Sequence, residues 1–297
     1  DHSAHVVSLI ESAGFIRLGK TNAPEFGLSS FTDNDIAGPT STPWRPGLNA
    51  GGSSGGAAAA VSAQLIALAP GSDGGGSIRI PASACGIFGF KPSRGRVSSG
   101  PSGLAWSGLA TDGALTRTVT DAAALLDIMA RPMPGDSRIM APPPVSFASQ
   151  TARQPGRLRI ARWSKPYLEI ASTSPASLAA WEHASALLTE LGHEVVDIDN
   201  PWPAELEPQF NVIWSAGIAS APLEAGEALL RPTTQYWRKR GAEASAPQLA
   251  AALGYLEATT SAILAELSSF DAFLTPTLAL PPQPHEWFTS PTDPAEI

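Results

Sequence analysis

Helix-spaced and strand-spaced apolar blocks alternate along most of the chain. Residues 4–13 (AHVVSLIESA) carry apolar side chains at helical spacing and stop at Gly14, a glycine suited to the position just past a helix. Residues 15–18 read as a short strand before Gly19. Residues 30–56 have almost no periodicity and read as loop. Residues 57–68 predict a helix that abuts a glycine–serine cluster, and Thr120 predicts the cap of a helix over 121–130. Residues 131–156, with six prolines, read as a linker or surface excursion. Beyond them 158–163 reads as a strand. Ser174-Pro175 opens a helix that runs to Leu191 and stops at Gly192. Residues 194–198 alternate as a strand, helical patterns recur around 210–230 and 248–267, and 272–274 form a last strand entering Thr275-Pro276-Thr277. This alternation predicts an α/β architecture with a largely parallel sheet.

Composition narrows the classes. The 297 residues are 43% apolar and 15% charged, enough to bury a sizeable core. The net charge of −8, with only four lysines (Lys20, Lys91, Lys165, Lys239) and no basic patch, argues against a nucleic-acid surface. One cysteine, Cys85, excludes an internal disulfide framework and points to a reducing, cytoplasmic setting. The longest apolar stretch, 57–69, is broken by Ser62 and Gln64 and ends at Pro70, too short and polar to span a bilayer. No pair of histidines has metal-ligand spacing.

Two glycine clusters carry the candidate chemistry: Gly51-Gly52-Ser53-Ser54-Gly55-Gly56, and Gly71-Ser72-Asp73-Gly74-Gly75-Gly76-Ser77-Ile78-Arg79. Successive glycines can turn several N–H groups towards one point, which suits a phosphate or the oxyanion of a tetrahedral intermediate. A nucleotide loop would need a lysine and then Ser or Thr after its last glycine, and neither cluster has one. A flexible linker would not run straight into the helix former at 57–68. Residues 52–56 fit a Gly-x-Ser-x-Gly elbow, but 43–50 (PWRPGLNA) is no strand, and His183 and His193 fall in or beside an amphipathic helix. From the residues alone, a phosphate loop, a serine hydrolase and a linker all stay open.

The longer blocks resemble one family. GGSSGG at 51–56, DGGGSIRIPA at 73–82 and GFKPS at 89–93 are similar to the amidase signature family, as are the flanking GKTNAPEF at 19–26 and LTPT at 274–277. Gly74 and the run through Arg96 resemble a subgroup that includes 6-aminohexanoate-cyclic-dimer hydrolases. The resemblance implies a mixed, largely parallel central sheet covered by helices on both faces. Its core would occupy 1–130, a Pro-rich linker or excursion 131–156, and a variable, substrate-shaping half 157–297. It also implies a Ser–Ser–Lys triad that hydrolyses a non-peptide carboxylic amide through an acyl-enzyme. The family's nucleophile falls on Ser77 and its bridging serine, preceded by a cis peptide, on Ser53. The oxyanion donors fall on Gly74, Gly75, Gly76 and Ser77, with Ser54, Asp73 and Arg79 bracing the loops. A serine hydroxyl needs a base, and a neutral buried lysine reached through a second serine can serve.

The family's lysine lies several dozen residues before its first serine, and counting back from Ser53 runs past Asp1. Lys20 and Lys91 fall in blocks that do not supply the base, and Lys165 and Lys239 fall in the variable half. The expectation is a fragment of a longer amidase, cut at both ends and inactive alone. No metal or cofactor is implied. The implied partner is a small linear or cyclic amide, not a nucleic acid or membrane, and a homodimer is allowed. Trp163, Phe210, Trp214, Tyr236 and Trp237 are candidates for an apolar pocket. The glutamine-supplying subunit of a tRNA-dependent amidotransferase and an inactive binding homologue are the alternatives.

Overall fold

The computed structural model describes residues 3–138, 140–168, 171–223 and 226–288. The chain divides into two compact units. One comprises Asp1–Arg153, Ala221–Trp237 and Pro282–Ile297, the other Gln154–Ser220 and Arg238–Pro281. The return of 221–237 and of 282 onwards to the first unit is not visible in the hydrophobic pattern. Residues 289–297, assigned by sequence to the variable half, lie outside the described residues.

The first unit holds helix α1 (His5–Ser12), α2 (Gly55–Ser62), strand β1 (Leu68–Asp73), α3 (Arg79–Cys85), β2 (Phe88–Phe90), β3 (Thr111–Thr116), α4 (Val119–Met129) and the single turn α5 (Phe147–Gln150). The strands form an antiparallel sheet in the order β1-β3-β2. Successive residues of β3 serve opposite faces, as the pleat requires. Leu115 joins Val61 of α2 and Ile78 and Cys85 beside and on α3, whereas Ala114 joins Val6 of α1 and Leu125 and Met129 of α4. Helices thus cover both faces of this sheet. Ala69 lies on the α2/α3 face, so Asp73, four residues further along β1, lies there too.

The second unit is built on the parallel sheet β5-β4-β6, from β4 (Arg159–Arg162), β5 (Glu194–Asp197) and β6 (Ala272–Leu274). Its helices are α6 (Pro175–Glu190), α7 (Leu206–Ala219) and α9 (Ala246–Glu266); α8 (Pro232–Glu243) crosses the boundary between the units. The mixed α/β class holds, with parallel pairing found in this unit among the described residues. No helix among the described residues is long and apolar enough to cross a membrane.

Several boundaries differ from the pattern. The helix read over 57–68 stops at Ser62, the chain turns through Gln64 at φ 61°, and Leu68 already pairs with Thr116. Pro70 and the glycine cluster from Gly71 give β1 no strand signal of its own. Pro70 is tolerated because β1 is an edge strand. Residues 15–18 form no strand. Ile16 and Leu18 are exposed, and no strand among the described residues pairs with them. The cap of α4 is Thr118, whose hydroxyl accepts the Asp121 N–H at 3.1 Å, not Thr120. The pattern around 210–230 is α7, which ends at Ala219, followed by a single 3-10 turn at Glu227–Leu229; α8 is a separate helix that the pattern missed.

Candidate active site

The two glycine clusters meet at the α2/α3 face of the first sheet. Each is shaped by buried side chains that use up the loop's own polar groups. At the first, Asn49 Oδ1 accepts the N–H of Gly51 at 2.8 Å and of Thr32 at 3.4 Å. Thr32 Oγ1 donates to the Gly51 carbonyl at 2.8 Å and accepts the Gly55 N–H at 3.2 Å. Both side chains are almost fully buried. The Gly52–Ser53 peptide is cis, and α2 begins at Gly55 directly after Ser54. Asn49 and Thr32 were missed in the sequence. The one available signal was Asn49, an amide two residues before a glycine run with nothing of its own to bond; Thr32 had none.

At the second cluster β1 ends in Asp73, which is fully buried. Its carboxylate accepts the N–H groups of Gly76 (2.8 Å), Ile78 (3.2 Å) and Arg79 (3.4 Å). It also takes the Arg79 fork, Nε and Nη2, at 2.8 Å each. Burial alone would raise its pKa; the Arg79 hydrogen bonds and charge, helped by the backbone donors, instead hold it below the usual carboxylate range. One carboxylate therefore folds the Gly74–Ser77 loop back onto the end of its own strand. Gly76 sits at φ 129°, and a Cβ there would lie 2.6 Å from Ile80 Cδ1, so both conformation and space call for glycine.

The loops are joined directly: the Ser54 N–H donates to the Ser77 carbonyl at 3.2 Å. A Cβ at Gly71 would come within 2.9 Å of Ser54 Oγ. Ser53 and Ser77 are both buried, and among the described residues neither hydroxyl has a hydrogen-bond partner. The N–H groups of Gly74, Gly75 and Ser77 are likewise unpaired among the described residues. Gly76 is the correction to the four expected oxyanion donors, because its N–H is committed to Asp73. Unpaired N–H groups on a buried serine and on residues just before it are of the kind that can hold a developing oxyanion.

No lysine hydrogen-bonds to Ser53 or Ser77 among the described residues. Lys91 donates to the Pro92 carbonyl at 3.0 Å. Burial pushes its pKa down, against the pull of Asp73. Lys20, Lys165 and Lys239 are exposed. Trp163 packs on Phe273 and Phe210 stacks on Trp214 in the second unit, while Tyr236 and Trp237 meet edge to face in the first.

Among the described residues no histidine is placed as the base of a serine centre. His193 Nδ1 accepts the Leu158 N–H at 3.1 Å, which marks it as a packing residue. His285 does meet a serine, Ser41, at 2.9 Å. Because Asn49 Oδ1 is held by backbone donors, its amide Nδ2 faces His285 Nδ1 at 3.4 Å and must donate to it. The imidazole proton then sits on Nε2 and points at Ser41, so this histidine cannot take that serine's proton.

The family model described as "Amidase" matches residues 1–297. "Putative amidase AmiB2" of Mycobacterium tuberculosis (strain ATCC 25618 / H37Rv) is 40% identical over 281 residues, covering 94% of this chain and 59% of that protein. The 6-aminohexanoate-cyclic-dimer hydrolase of Paenarthrobacter ureafaciens is 38% identical over 243 residues, 79% of this chain and 49% of that protein. A solved structure of 6-aminohexanoate cyclic dimer hydrolase complexed with substrate superposes with a TM-score of 0.84 at 34% identity, covering 91% of this chain and 59% of that one. The chain thus spans between about half and three-fifths of the length of these relatives.

Proposed function

The chain belongs to the amidase family, and we propose that it carries the nucleophile half of an amide hydrolase acting on small linear or cyclic carboxylic amides. The observation that supports this best is the junction of the two loops. Ser53 and Ser77 stand on segments bonded to each other at Ser54 and Ser77, beside the unpaired N–H groups of Gly74, Gly75 and Ser77.

In this reading Ser77 Oγ attacks the amide carbonyl carbon while its proton passes to Ser53 and from Ser53 to a base. On the family resemblance that base is a lysine. The carbonyl oxygen becomes the oxyanion held by the three free N–H groups. The C–N bond then breaks, the amine leaves with a proton returned along the same relay, and water hydrolyses the Ser77 ester. Asp73 and Arg79 keep the donors in place and touch no reacting atom. The amidase and hydrolase names of the relatives do not favour the amidotransferase-subunit reading. The buried Cys85 thiol suits a reducing, cytoplasmic setting.

The test uses the full-length protein. A tagged fluorophosphonate should modify the tryptic peptide that contains Ser77, and Ser77→Ala should abolish both labelling and turnover of a panel of anilides, fatty amides and cyclic amides. Ser53→Ala should lower kcat by about a hundredfold or more, the scale of a lost proton-transfer step. Turnover that survives Ser77→Ala would overturn the proposal.

A further inference from the structure

Arg231 lies in 221–237, the segment that returns to the first unit, directly before α8. It meets three carboxylates that are 196 to 206 residues distant along the chain. Its backbone N–H donates to Glu25 at 3.1 and 3.3 Å. Its Nη1 pairs with Asp33 at 3.0 Å, while Nε and Nη2 reach Asp35 Oδ1 at 2.9 and 2.6 Å. Only about a quarter of the side chain is exposed (26%), and Asp33 is 13% exposed. Burial opposes the guanidinium charge, but the hydrogen bonds to Asp33 and Asp35 outweigh it and push the Arg231 pKa up. Asp35, 73% exposed, is the screened and weaker arm.

The carboxylates belong to the two segments that border Ser53. Glu25 opens the turn Glu25–Gly27, which passes through left-handed Phe26 (φ 52°) and Gly27 (φ 69°); a Cβ at Gly27 would lie 3.3 Å from Ser53 Oγ. Asp33 follows Thr32, whose hydroxyl clamps Gly51 and Gly55 on either side of Ser53. Glu25 is held by the Arg231 backbone, whereas Asp33 and Asp35 share its guanidinium; without that cation the two aspartates would repel and the Thr32–Asp33 corner would lose its tie to the Glu25-bound backbone.

We propose that Arg231 is a positioning residue for Ser53, locking the Glu25–Gly27 turn and the Thr32–Asp33 corner together so that the relay hydroxyl stays in line. This rests on the serine-relay reading above. It predicts a defect in the chemical step, since Arg231 acts on Ser53 and not on substrate.

In the full-length protein, Arg231→Gln should lower kcat by about tenfold to a hundredfold, the scale of an ångström-sized misplacement, and leave KM within about threefold. Raising the salt from 0.05 to 1 M should recover part of the lost kcat, because it screens the carboxylate repulsion. A purely structural loss would show no such recovery. Arg162→Gln is the control. It removes a guanidinium paired with Asp197 and Glu182 in the second unit, and should leave kcat unchanged. If Arg231→Gln does not fold, Arg231→Lys, which keeps the charge but not the fork, is measured in its place and should show a smaller drop of the same kind. Wild-type kcat in the folded variant, or a loss confined to KM, overturns the inference. Ser77→Ala is assayed alongside: an inactive Ser77→Ala with an unaffected Arg231 variant sinks this inference alone, and an active Ser77→Ala sinks the underlying reading.

Discussion

Asp73→Asn keeps the shape of the side chain and removes its charge. Oδ1 accepts from Gly76 N and Arg79 Nη2; Oδ2 accepts from Ile78 N, Arg79 N and Arg79 Nε. An amide has one oxygen, so its NH2 must face the donors on one side or the other. The better orientation keeps the Oδ2 set and strands Gly76 N–H and Arg79 Nη2. Arg79 is half exposed and can turn to water, which leaves little cost at that end. The Gly76 N–H is buried, and an orphaned buried donor costs about 1–3 kcal/mol, with the weakened charge-assisted bonds adding about 1 more. The expected loss is about 2–4 kcal/mol, a large share of the 5–15 kcal/mol that holds a typical domain. Hydrogen exchange of residues 74–85, followed by mass spectrometry, reads the loop itself and should speed up; fluorophosphonate labelling of Ser77 should slow in parallel. The folded pKa of Asp73 lies below 3.8, so its contribution is complete above the unfolded value and is lost as pH falls through the folded one. The gap between wild type and variant should therefore be full at pH 7 and close at strongly acidic pH. Unchanged exchange in 74–85 together with wild-type labelling would refute the account of Asp73 as the organiser of the donor fan.

Asp112, opposite Ser72 on β3, is pushed up to about 6 by burial. Its folded pKa exceeds its unfolded one, so ionisation penalises the fold above about pH 6 and not below the unfolded value; Asp112→Asn should stabilise at pH 8 by about 1–3 kcal/mol and gain nothing near pH 4, read from urea midpoints. Thr118→Ala should cost about 1 kcal/mol by removing the α4 cap, whereas Thr120→Ala should stay within about 0.5 kcal/mol; the reverse order would restore Thr120 as the cap. Burial pushes the Cys85 thiol up to about 11, so a disulfide reagent at pH 8 should leave it unmodified in the native protein and modify it in urea; rapid native modification would contradict its burial.

What the sequence made legible was local. Ser174, Pro175 and Gly192 bracket α6 because a cap, a first-turn proline and a left-handed terminator each act within one turn of helix. β1 was illegible because Pro70 and Gly71 deny it any local strand signal, and only its pairing with β3 some forty residues later makes it a strand. The site divides the same way. Each glycine loop, with its serines and the Asp73–Arg79 pair, is a contiguous block of six to nine residues that resembles a motif, so it could be read. Thr32 and Arg231 act across 17 to 206 residues, and nothing in their own neighbourhoods marks them, whereas Asn49 bonds Gly51 two residues on as well as the distant Thr32.

Gly76 carries the sharper lesson. A motif counts N–H groups, but a donor is available only if nothing else has claimed it, and Asp73 claims this one. The same bond that removes Gly76 from the proposed oxyanion donors folds the loop onto Asp73, while the N–H groups of Gly74, Gly75 and Ser77 make no such bond. Gly76→Ala should therefore harm the site through its φ of 129° and its contact with Ile80, rather than through a lost oxyanion bond. A substrate thioamide, whose sulfur is a weaker acceptor, would probe Gly74, Gly75 and Ser77 alone. If Gly76 were a fourth donor, loosening its bond to Asp73 by Asp73→Asn would speed acylation, where the geometry requires it to slow.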